Sequence, residues 1–411
     1  MREPAPPEEG DDLIEASLRW LEALLWGGRP RLGVGVEGSD YLLFPGASRP
    51  HLLIPLTSRS AAARCILQST TATRVSHRMA RKAISTAIRV GLAQRLLRTA
   101  VQLPPTDGSP DASLPAFLQQ IVDRQNVVMA IMIGPVRANR KPVIEVLTTK
   151  GEPLAYVKVG WNDVTRPLVR REAGTLARVH GRVPAPEHFR VPKVIHAGMW
   201  RDLEILVVRP AGDTPWRLAR AHLTPPLEAT REVSELWGRS TVELNGSPYW
   251  QRLRTRAATL AEKAATPIAR SLPPAFERLN ETHGDARVVL GSWHGDWVPW
   301  NMKHTLEGLM VWDWERSDGS APVGLDAVHF DFQTRLWVRR EDPRSALSRT
   351  LRQAPAYLDA LAVPEQSGTL VVGLNIFEMA LRLEEGAAAG VPLPRRIYDV
   401  LPEMLRAVSR C

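Results

Sequence analysis

Two short segments near residue 300 constrain the fold of this chain most strongly. The first, residues 293–301, reads WHGDWVPWN and places Asp296 and Asn301 five positions apart. The second, residues 309–315, reads LMVWDWE, in which an apolar run of strand length leads directly into Asp313. Residues 303–308 supply a turn between the two segments. A hairpin at this point would return Asp313 close to Asn301, so the sequence predicts one cluster of oxygen-bearing side chains.

These oxygen-bearing side chains are the types that phosphoryl transfer requires. A carboxylate can orient an attacking hydroxyl group, and amide and carboxylate oxygens can hold the magnesium that bridges nucleotide phosphates. Protein kinases use the same D-x-x-x-x-N spacing. A second H-G-D sequence ends at Asp285, but Leu290 stands five positions beyond it. The tripeptide alone is therefore a weak signal, and the 294–301 copy gains its weight from Asn301 and Asp313.

A lysine and a glutamate upstream form a second pattern. Residues 155–159 read AYVKV, a strand pattern with Lys158 embedded in it, and Glu172 follows 14 residues later in a helical stretch. An ion pair between such a strand and helix holds a lysine where it can reach nucleotide phosphates. The alternative is an exposed structural pair, which is common in proteins.

Together these patterns resemble the aminoglycoside phosphotransferase and choline kinase superfamily, with its H-G-D-x-x-x-x-N loop and later D-W-E or D-F-E segment. The motifs that carry this resemblance lie within residues 126–340. It implies an α+β fold of the two-lobed protein-kinase type, with a small β-rich N-lobe and a helical C-lobe. It also implies that Asp296 is the catalytic carboxylate and that Asn301 and Asp313 are magnesium ligands. Lys158 and Glu172 become the pair that positions the nucleotide.

Two further assignments follow from the same resemblance. Residues 207–212, which include Arg209, match the hinge between lobes where adenine binds, and Asp326 matches a structural aspartate that follows the metal-binding segment. The turn at Gly134 departs from the family pattern, because it has one glycine and Pro135 after it lacks an N–H group. Fewer backbone donors are then free to hold phosphate at Gly134, although neighbouring basic side chains can supply charge.

The order of apolar patterns along the chain predicts that it is divided into three regions. Residues 1–125 form an accessory α+β region that matches no known pattern, with short strands near 41–44 and 52–54 and helices over 58–68 and 76–103. Residues 126–209 form the kinase-like N-lobe, with strands at 127–133, 143–147, 154–159 and 203–208 and a helix near 167–180. Residues 210–411 form the helical C-lobe with the catalytic and metal-binding loops.

The charge of the chain is concentrated in the accessory region. The formal net charge is +9, yet residues 41–106 contain ten arginines and lysines and no aspartate or glutamate. Such a block is either an ordinary solvated surface or a contact for a polyanion, an anionic membrane surface or an acidic substrate. Neither a secretory signal nor a membrane-spanning run is present, and the two cysteines lie far apart, so we expect a cytoplasmic protein.

The sequence thus predicts an ATP- and magnesium-dependent phosphotransferase that moves the γ-phosphoryl group to a hydroxyl of an aminoglycoside-, choline- or sugar-like small molecule. No nucleic-acid partner is expected. The alternative is a pseudokinase or scaffold whose basic N-terminal region binds a partner, a polyanion or a membrane surface. Five tryptophans crowd the two motifs, and either Trp297 or Trp300 can face the substrate, whereas core packing is the simpler role for most of them.

Overall fold

The computed structural model describes residues 21, 25, 31–34, 39–44, 51–68, 75–92, 99–103, 113–133, 140–212, 223–263, 266–364, 367–388, 391 and 393–408. The chain forms two units, one comprising Met1–Ala173 with Pro192–Ala211 and the other Gly174–Val191 with Gly212–Cys411. The first unit is built on a large sheet and the second is mainly helical. The predicted α+β fold class, with a β-rich N-terminal part and a helical C-terminal part, is therefore confirmed.

Nine antiparallel strands form the sheet of the first unit, in the order β1-β4-β2-β3-β5-β6-β7-β9-β8. They are β1 (Arg31–Val34), β2 (Tyr41–Phe44), β3 (Leu52–Pro55), β4 (Thr99–Gln102), β5 (Val128–Met132), β6 (Val143–Leu147), β7 (Pro153–Gly160), β8 (Val194–Trp200) and β9 (Leu203–Val208). The described helices of this part of the chain are α1 (Arg59–Gln68), α2 (Val75–Arg89), α3 (Leu114–Val122) and α4 (Thr165–His180).

Strand β5 shows why this sheet is apolar on both faces. Val128 and Ala130 face the cluster that contains Cys65 of α1, whereas Met129 and Ile131 alternate with them and face the cluster on the α3 side. Because successive side chains of a strand point to opposite faces, a continuous apolar run predicts cover on both sides.

The accessory strands extend the N-lobe sheet. Leu52 and Leu53 of β3 pair with Met132 and Ile131 of β5, so one sheet runs across residue 125. This pairing satisfies the backbone groups of a strand that would otherwise be an edge. The proposed division at residues 125 and 209 remains a prediction. The helix predicted over 76–103 is wrong at its C-terminal end, because α2 stops at Arg89 and residues 99–102 form β4.

The second unit holds helices around a large apolar cluster. Its helices are α5 (Leu227–Glu235), α6 (Pro248–Lys263), α7 (Pro267–His283), α8 (Leu325–Gln333), α9 (Pro343–Ala360), α10 (Gly368–Ala388), α11 (Arg395–Tyr398) and α12 (Leu401–Val408). Its strands are β10 (Ser240–Glu243), β11 (Arg287–Trp293), β12 (Met302–Thr305), β13 (Gly308–Val311) and β14 (Asp318–Pro322). Trp250 stacks on Phe276 at 4.0 Å between ring centroids, and Phe377 of α10 meets Phe276 edge-on.

Two small sheets position the motif loops within this unit. Strand β11 lies between β10 and β14, and β12 and β13 form the predicted hairpin. No helix in the described part of the chain is long and apolar enough to cross a membrane.

Candidate active site

The loop after β11 carries the H-G-D sequence, and its glycine is required by geometry. Gly295 has φ +80°, and a Cβ at this position would lie 2.5 Å from the carbonyl oxygen of Arg316. No side chain fits at that distance, and a left-handed φ is costly for other residues. Gly295 therefore lets the backbone approach residue 316 closely and turn immediately before Asp296.

Asp326, in the first turn of α8, holds the same loop. Its carboxylate accepts hydrogen bonds from the backbone N–H groups of His294 at 2.7 Å and Gly295 at 3.1 Å. Burial raises the pKa of Asp326, although the His294 ring and these two N–H groups oppose that effect. The position of Asp326 agrees with the structural role that the family resemblance implies for it.

His294 braces the loop as a neutral side chain. The backbone N–H of Asp296 donates to Nδ1 of His294 at 3.2 Å, so the proton belongs on Nε2, which lies 3.0 Å from the carbonyl oxygen of Trp312. Burial lowers the pKa of His294, although nearby carboxylates oppose this. His294 thus connects the H-G-D loop to the end of β13 and leaves Asp296 as the carboxylate of the loop.

Asp296 and Asn301 are in direct contact. The Asn301 amide nitrogen Nδ2 donates to the backbone oxygen and to the Oδ2 atom of Asp296, both at 3.0 Å. A 3-10 turn over Pro299–Asn301 closes the loop and makes this contact possible across five residues. Because Nδ2 is used in this way, the Asn301 oxygen Oδ1 is directed away from Asp296 and is the atom suited to a cation.

The hairpin brings Asp313 to the same place. Met302 of β12 pairs with Val311 of β13. The backbone N–H of Trp312 donates to the carbonyl oxygen of Asn301 at 3.1 Å. Asp313 is the next residue after Trp312, so this hydrogen bond keeps Asp313 close to Asn301. Asp313 has φ +73°, which is uncommon for a residue other than glycine and is typical of functional positions. The sequence prediction that a hairpin returns Asp313 to Asn301 agrees with this arrangement.

Glu315 adds a second carboxylate beside Asp313. One oxygen of each lies within 4.8 Å of the other, and Glu315 is buried. The donor set of Asn301, Asp313 and Glu315 consists of amide and carboxylate oxygens, the ligands that magnesium prefers in proteins. These residues therefore fit a magnesium ion.

Sequence reasoning missed two residues near Asp296: His329 of α8 approaches its carboxylate, and Asn375 of α10 contacts His329. His329 Nε2 lies 3.5 Å from Asp296 Oδ1, and His329 Nδ1 lies 3.1 Å from Asn375 Oδ1. The first distance is longer than that of a well-formed hydrogen bond. Asn375 Nδ2 is buried without a hydrogen-bond partner in the described part of the chain. One sequence signal could have found His329. It stands three residues after Asp326, and residues at this spacing share one face of a helix, so both face the H-G-D loop.

The environment of Asp296 favours its anionic form. Burial on its own would raise the pKa of Asp296, but the contact with His329 and the nearby charge of Arg382 outweigh burial and lower it. Asp296 is therefore deprotonated at neutral pH. Its low pKa makes it a weak base and a good hydrogen-bond acceptor for a hydroxyl group.

Helix α10 presents a polar stripe behind this carboxylate. Asn375, Glu378 and Arg382 are spaced three and four residues apart on one face of this helix, and Glu378 is buried. Arg256 of α6 pairs with Glu378 at 2.9 Å, and Arg382 lies 3.6 Å from the same carboxylate. This network keeps the positive charge of Arg382 fixed near Asp296.

The tryptophans near the motifs mostly belong to the core. Trp297 is fully buried and meets the His294 ring edge-on at 5.5 Å, and Trp314 packs against the same ring at 4.6 Å. Trp297 therefore does not face a substrate. Trp300 is half-buried, so of these two tryptophans it is the one that can still face a substrate.

In the first unit, Lys158 of β7 and Glu172 of α4 form a close pair. Lys158 Nζ lies 2.7 Å from Oε1 and 2.6 Å from Oε2 of Glu172, and their side chains are 13% and 3% exposed. The pair is thus buried, which excludes the exposed structural pair considered from the sequence. A bidentate contact fixes the lysine ammonium in one orientation.

The remaining predicted residues are Arg209 and Gly134. Arg209 directly follows β9, its side chain is exposed, and its backbone N–H donates to the carbonyl oxygen of Lys193 at 2.8 Å. Gly134 lies outside the described residues. The nucleotide roles suggested for both remain predictions.

Comparisons with known proteins return solved structures of low sequence identity to this chain. The sequence matches no protein-family model and no curated protein. Solved structures that match include an aminoglycoside phosphotransferase, APH(4)-Ia, with 15% identity over 72% of this chain and 97% of that chain at a TM-score of 0.46. The choline kinase LicA from Streptococcus pneumoniae has 12% identity over 72% and 99% of the two chains at a TM-score of 0.49.

A third solved structure is a thermostable mutant of APH(4)-Ia in a ternary complex with ADP and hygromycin B. It has 14% identity over 72% of this chain and 97% of that chain, at a TM-score of 0.44. Identities of 12–15% and TM-scores of 0.44–0.49 carry no argument about this chain, so its function has to be argued from its own residues.

Proposed function

We propose that this chain transfers the γ-phosphoryl group of ATP to a hydroxyl group of a small molecule, with magnesium as cofactor. The observation that carries the proposal is the arrangement of Asp296 and Asn301, which are in contact across a tight loop. The β12–β13 hairpin adds Asp313 beside Asn301. An anionic carboxylate next to amide and carboxylate oxygens is the combination that phosphoryl transfer uses.

Asp296 would orient the attacking hydroxyl by accepting its hydrogen bond. Because phosphoryl transfer proceeds through a loose transition state, orientation matters more than early removal of the proton. The low pKa of Asp296 fits this role: the proton reaches the carboxylate only as the new P–O bond forms and the bond to the leaving ADP breaks. His329 acts as a positioning residue, since its contact helps to keep Asp296 in its charged form, and Asn375 meets the other ring nitrogen of His329.

Asn301 and Asp313 would hold the magnesium ion, with Glu315 beside Asp313. When bound, this ion would neutralise the charge that develops on the phosphate oxygens. Lys158, fixed by Glu172, would contribute its ammonium group to the nucleotide phosphates, and Arg209 would lie at the adenine end. Nothing in the described residues selects among aminoglycoside-, choline- and sugar-like acceptors.

Thermal unfolding with and without magnesium ATP tests nucleotide binding. Ligand at about 100 times its Kd stabilises a protein by about 2.7 kcal/mol, a rise in Tm of roughly 5–10 °C for a unit of this size. We expect this rise for the wild type, a requirement for magnesium, and loss of the rise in Asp313→Ala. Asp359→Ala removes an exposed carboxylate from α9 and serves as the matched control. No rise with any nucleotide would instead favour the pseudokinase or scaffold function.

A further inference from the structure

The first unit contains a basic pocket that the proposed phosphotransfer does not use. The pocket has a volume of about 530 Å³, and four of the seven described residues that line it are cations, Arg59, Arg64, Arg89 and Lys150. None of these seven described residues is acidic. The cations come from α1, from the last turn of α2 and from the turn between β6 and β7, so three separate elements direct positive charge toward one concavity.

Close contacts hold these elements together. The Ser58 hydroxyl donates to the carbonyl oxygen of Thr149 at 2.6 Å and accepts from the N–H of Ala61 at 3.1 Å, which ties the β6–β7 turn to the start of α1. Gly151 has φ +84°, and a Cβ there would lie 2.9 Å from the backbone of Ser60. The turn therefore packs directly on the first turn of α1 and places Lys150 at the pocket.

The positive charge of the pocket is largely uncompensated. Arg64 Nε lies 3.6 Å from the buried carboxylate of Glu145, which also accepts from the Tyr156 hydroxyl at 2.9 Å. Arg59, Arg89 and Lys150 form no ion pair with the residues that the structure describes. Like charges gathered in one concavity repel each other and destabilise the fold unless an anion binds there. The acid-free stretch of residues 41–106 supplies three of these four cations.

We propose that this pocket binds a small soluble molecule through a phosphate or diphosphate group. Guanidinium groups match phosphate oxygens with paired hydrogen bonds, and lysine adds a point charge. The pocket also includes Ser60, in the first turn of α1, where the helix dipole favours an anion. A volume of about 530 Å³ is that of a small-ligand pocket, and a concave site of this kind suits a soluble solute better than a flat bilayer surface.

Titration calorimetry with inorganic pyrophosphate, in magnesium-free buffer of fixed ionic strength, tests this proposal on the full chain. We expect the wild type to bind, and Arg89→Ala and Lys150→Ala each to weaken binding about tenfold or more, since each loses charged hydrogen bonds to the anion. Both side chains are exposed, so both variants should fold. Arg124→Ala, an exposed arginine of the same unit outside the pocket, should bind as the wild type does. Added salt should weaken binding in the wild type.

The proposal is overturned if pyrophosphate does not bind, or if the two pocket variants bind it as tightly as the wild type. A parallel sedimentation assay uses phosphatidylglycerol vesicles. Vesicle binding that depends on Arg89 and Lys150, without pyrophosphate binding, would also overturn it and assign the pocket to a lipid surface. Because neither assay measures turnover, both outcomes are independent of the phosphotransfer proposed above.

Discussion

Asp296 is held by contacts of different kinds. Asn301 donates to its backbone and carboxylate oxygens, and His329 approaches its other carboxylate oxygen at 3.5 Å. The low pKa of Asp296 is therefore maintained by His329 of α8 and Arg382 of α10.

Replacing His329 should change the pH dependence of the reaction. The folded pKa of Asp296 lies below its ordinary value, so the charged form is available down to low pH and is lost as pH falls through that folded pKa. In His329→Gln the pKa of Asp296 should rise, and the acid limb of the kcat/KM profile should move to higher pH. His283→Gln, in the second H-G-D sequence, is the control. An unmoved acid limb in His329→Gln would contradict the positioning role.

Gly295 and Gly308 form a matched pair, because both have positive φ but only one is crowded. A Cβ at Gly295 would meet the Arg316 carbonyl oxygen at 2.5 Å, whereas nothing lies within 4 Å of one at Gly308. Strain in φ alone costs of order 1 kcal/mol or more. We expect Gly308→Ala to lower the free energy of unfolding by about 1 kcal/mol and Gly295→Ala by about 3 kcal/mol or more. Urea unfolding measures both, and equal losses would show that the close approach is not important.

At the scale of helices and strands, the pair between β7 and α4 makes a separate prediction. Glu172→Gln leaves the Lys158 ammonium buried without its counter-charge, and breaking one partner of a buried pair costs about 3–5 kcal/mol. We expect a large fall in Tm together with loss of the magnesium ATP effect. Glu403→Gln breaks an exposed pair with Arg344 and should leave Tm unchanged. Equal effects of the two substitutions would contradict the buried ion pair.

The strands and the β12–β13 hairpin could be predicted from local pattern, whereas some element boundaries could not. The runs at 127–133, 143–147 and 203–208 are short, apolar and bounded by turn residues, and all three form strands. The stretch 76–103 carries an i+4 apolar ridge that continues past Arg89, so periodicity alone extends the helix too far. Residues 99–102 form β4 because they pair with β1 and β2, and such pairing depends on distant parts of the chain.

The candidate active site, like the fold, could be predicted from the sequence only where its residues lie close together in the chain. Asp296, Asn301 and Asp313 lie within 18 residues of each other, so loop and hairpin geometry brings the first two into contact and sets the third beside Asn301. His329 and Asn375 come from two helices whose packing no local pattern encodes, and they were missed. Their contribution to Asp296 is a product of tertiary structure.

At the scale of the whole molecule, the accessory region and the N-lobe share one sheet. Pairing of Leu52 and Leu53 with β5 means that residues 41–132 contribute to the same layers as the predicted nucleotide-binding strands. The first unit carries the Lys158–Glu172 pair and the basic pocket, and the second carries the H-G-D loop, the β12–β13 hairpin and the α10 stripe. Each proposal can be tested by substitutions within a single unit.

The measurement that tests the central claim most directly is transfer of phosphate from magnesium ATP to a panel of hydroxyl compounds by the wild type, Asp296→Asn and Asp285→Asn. The two substitutions are chemically identical, and Asp285 is the exposed aspartate of the second H-G-D sequence. If Asp296 orients the acceptor hydroxyl, Asp296→Asn should lower kcat by about 10²–10⁴-fold while nucleotide still binds, and Asp285→Asn should act as the wild type. Near-normal turnover by Asp296→Asn would contradict the account.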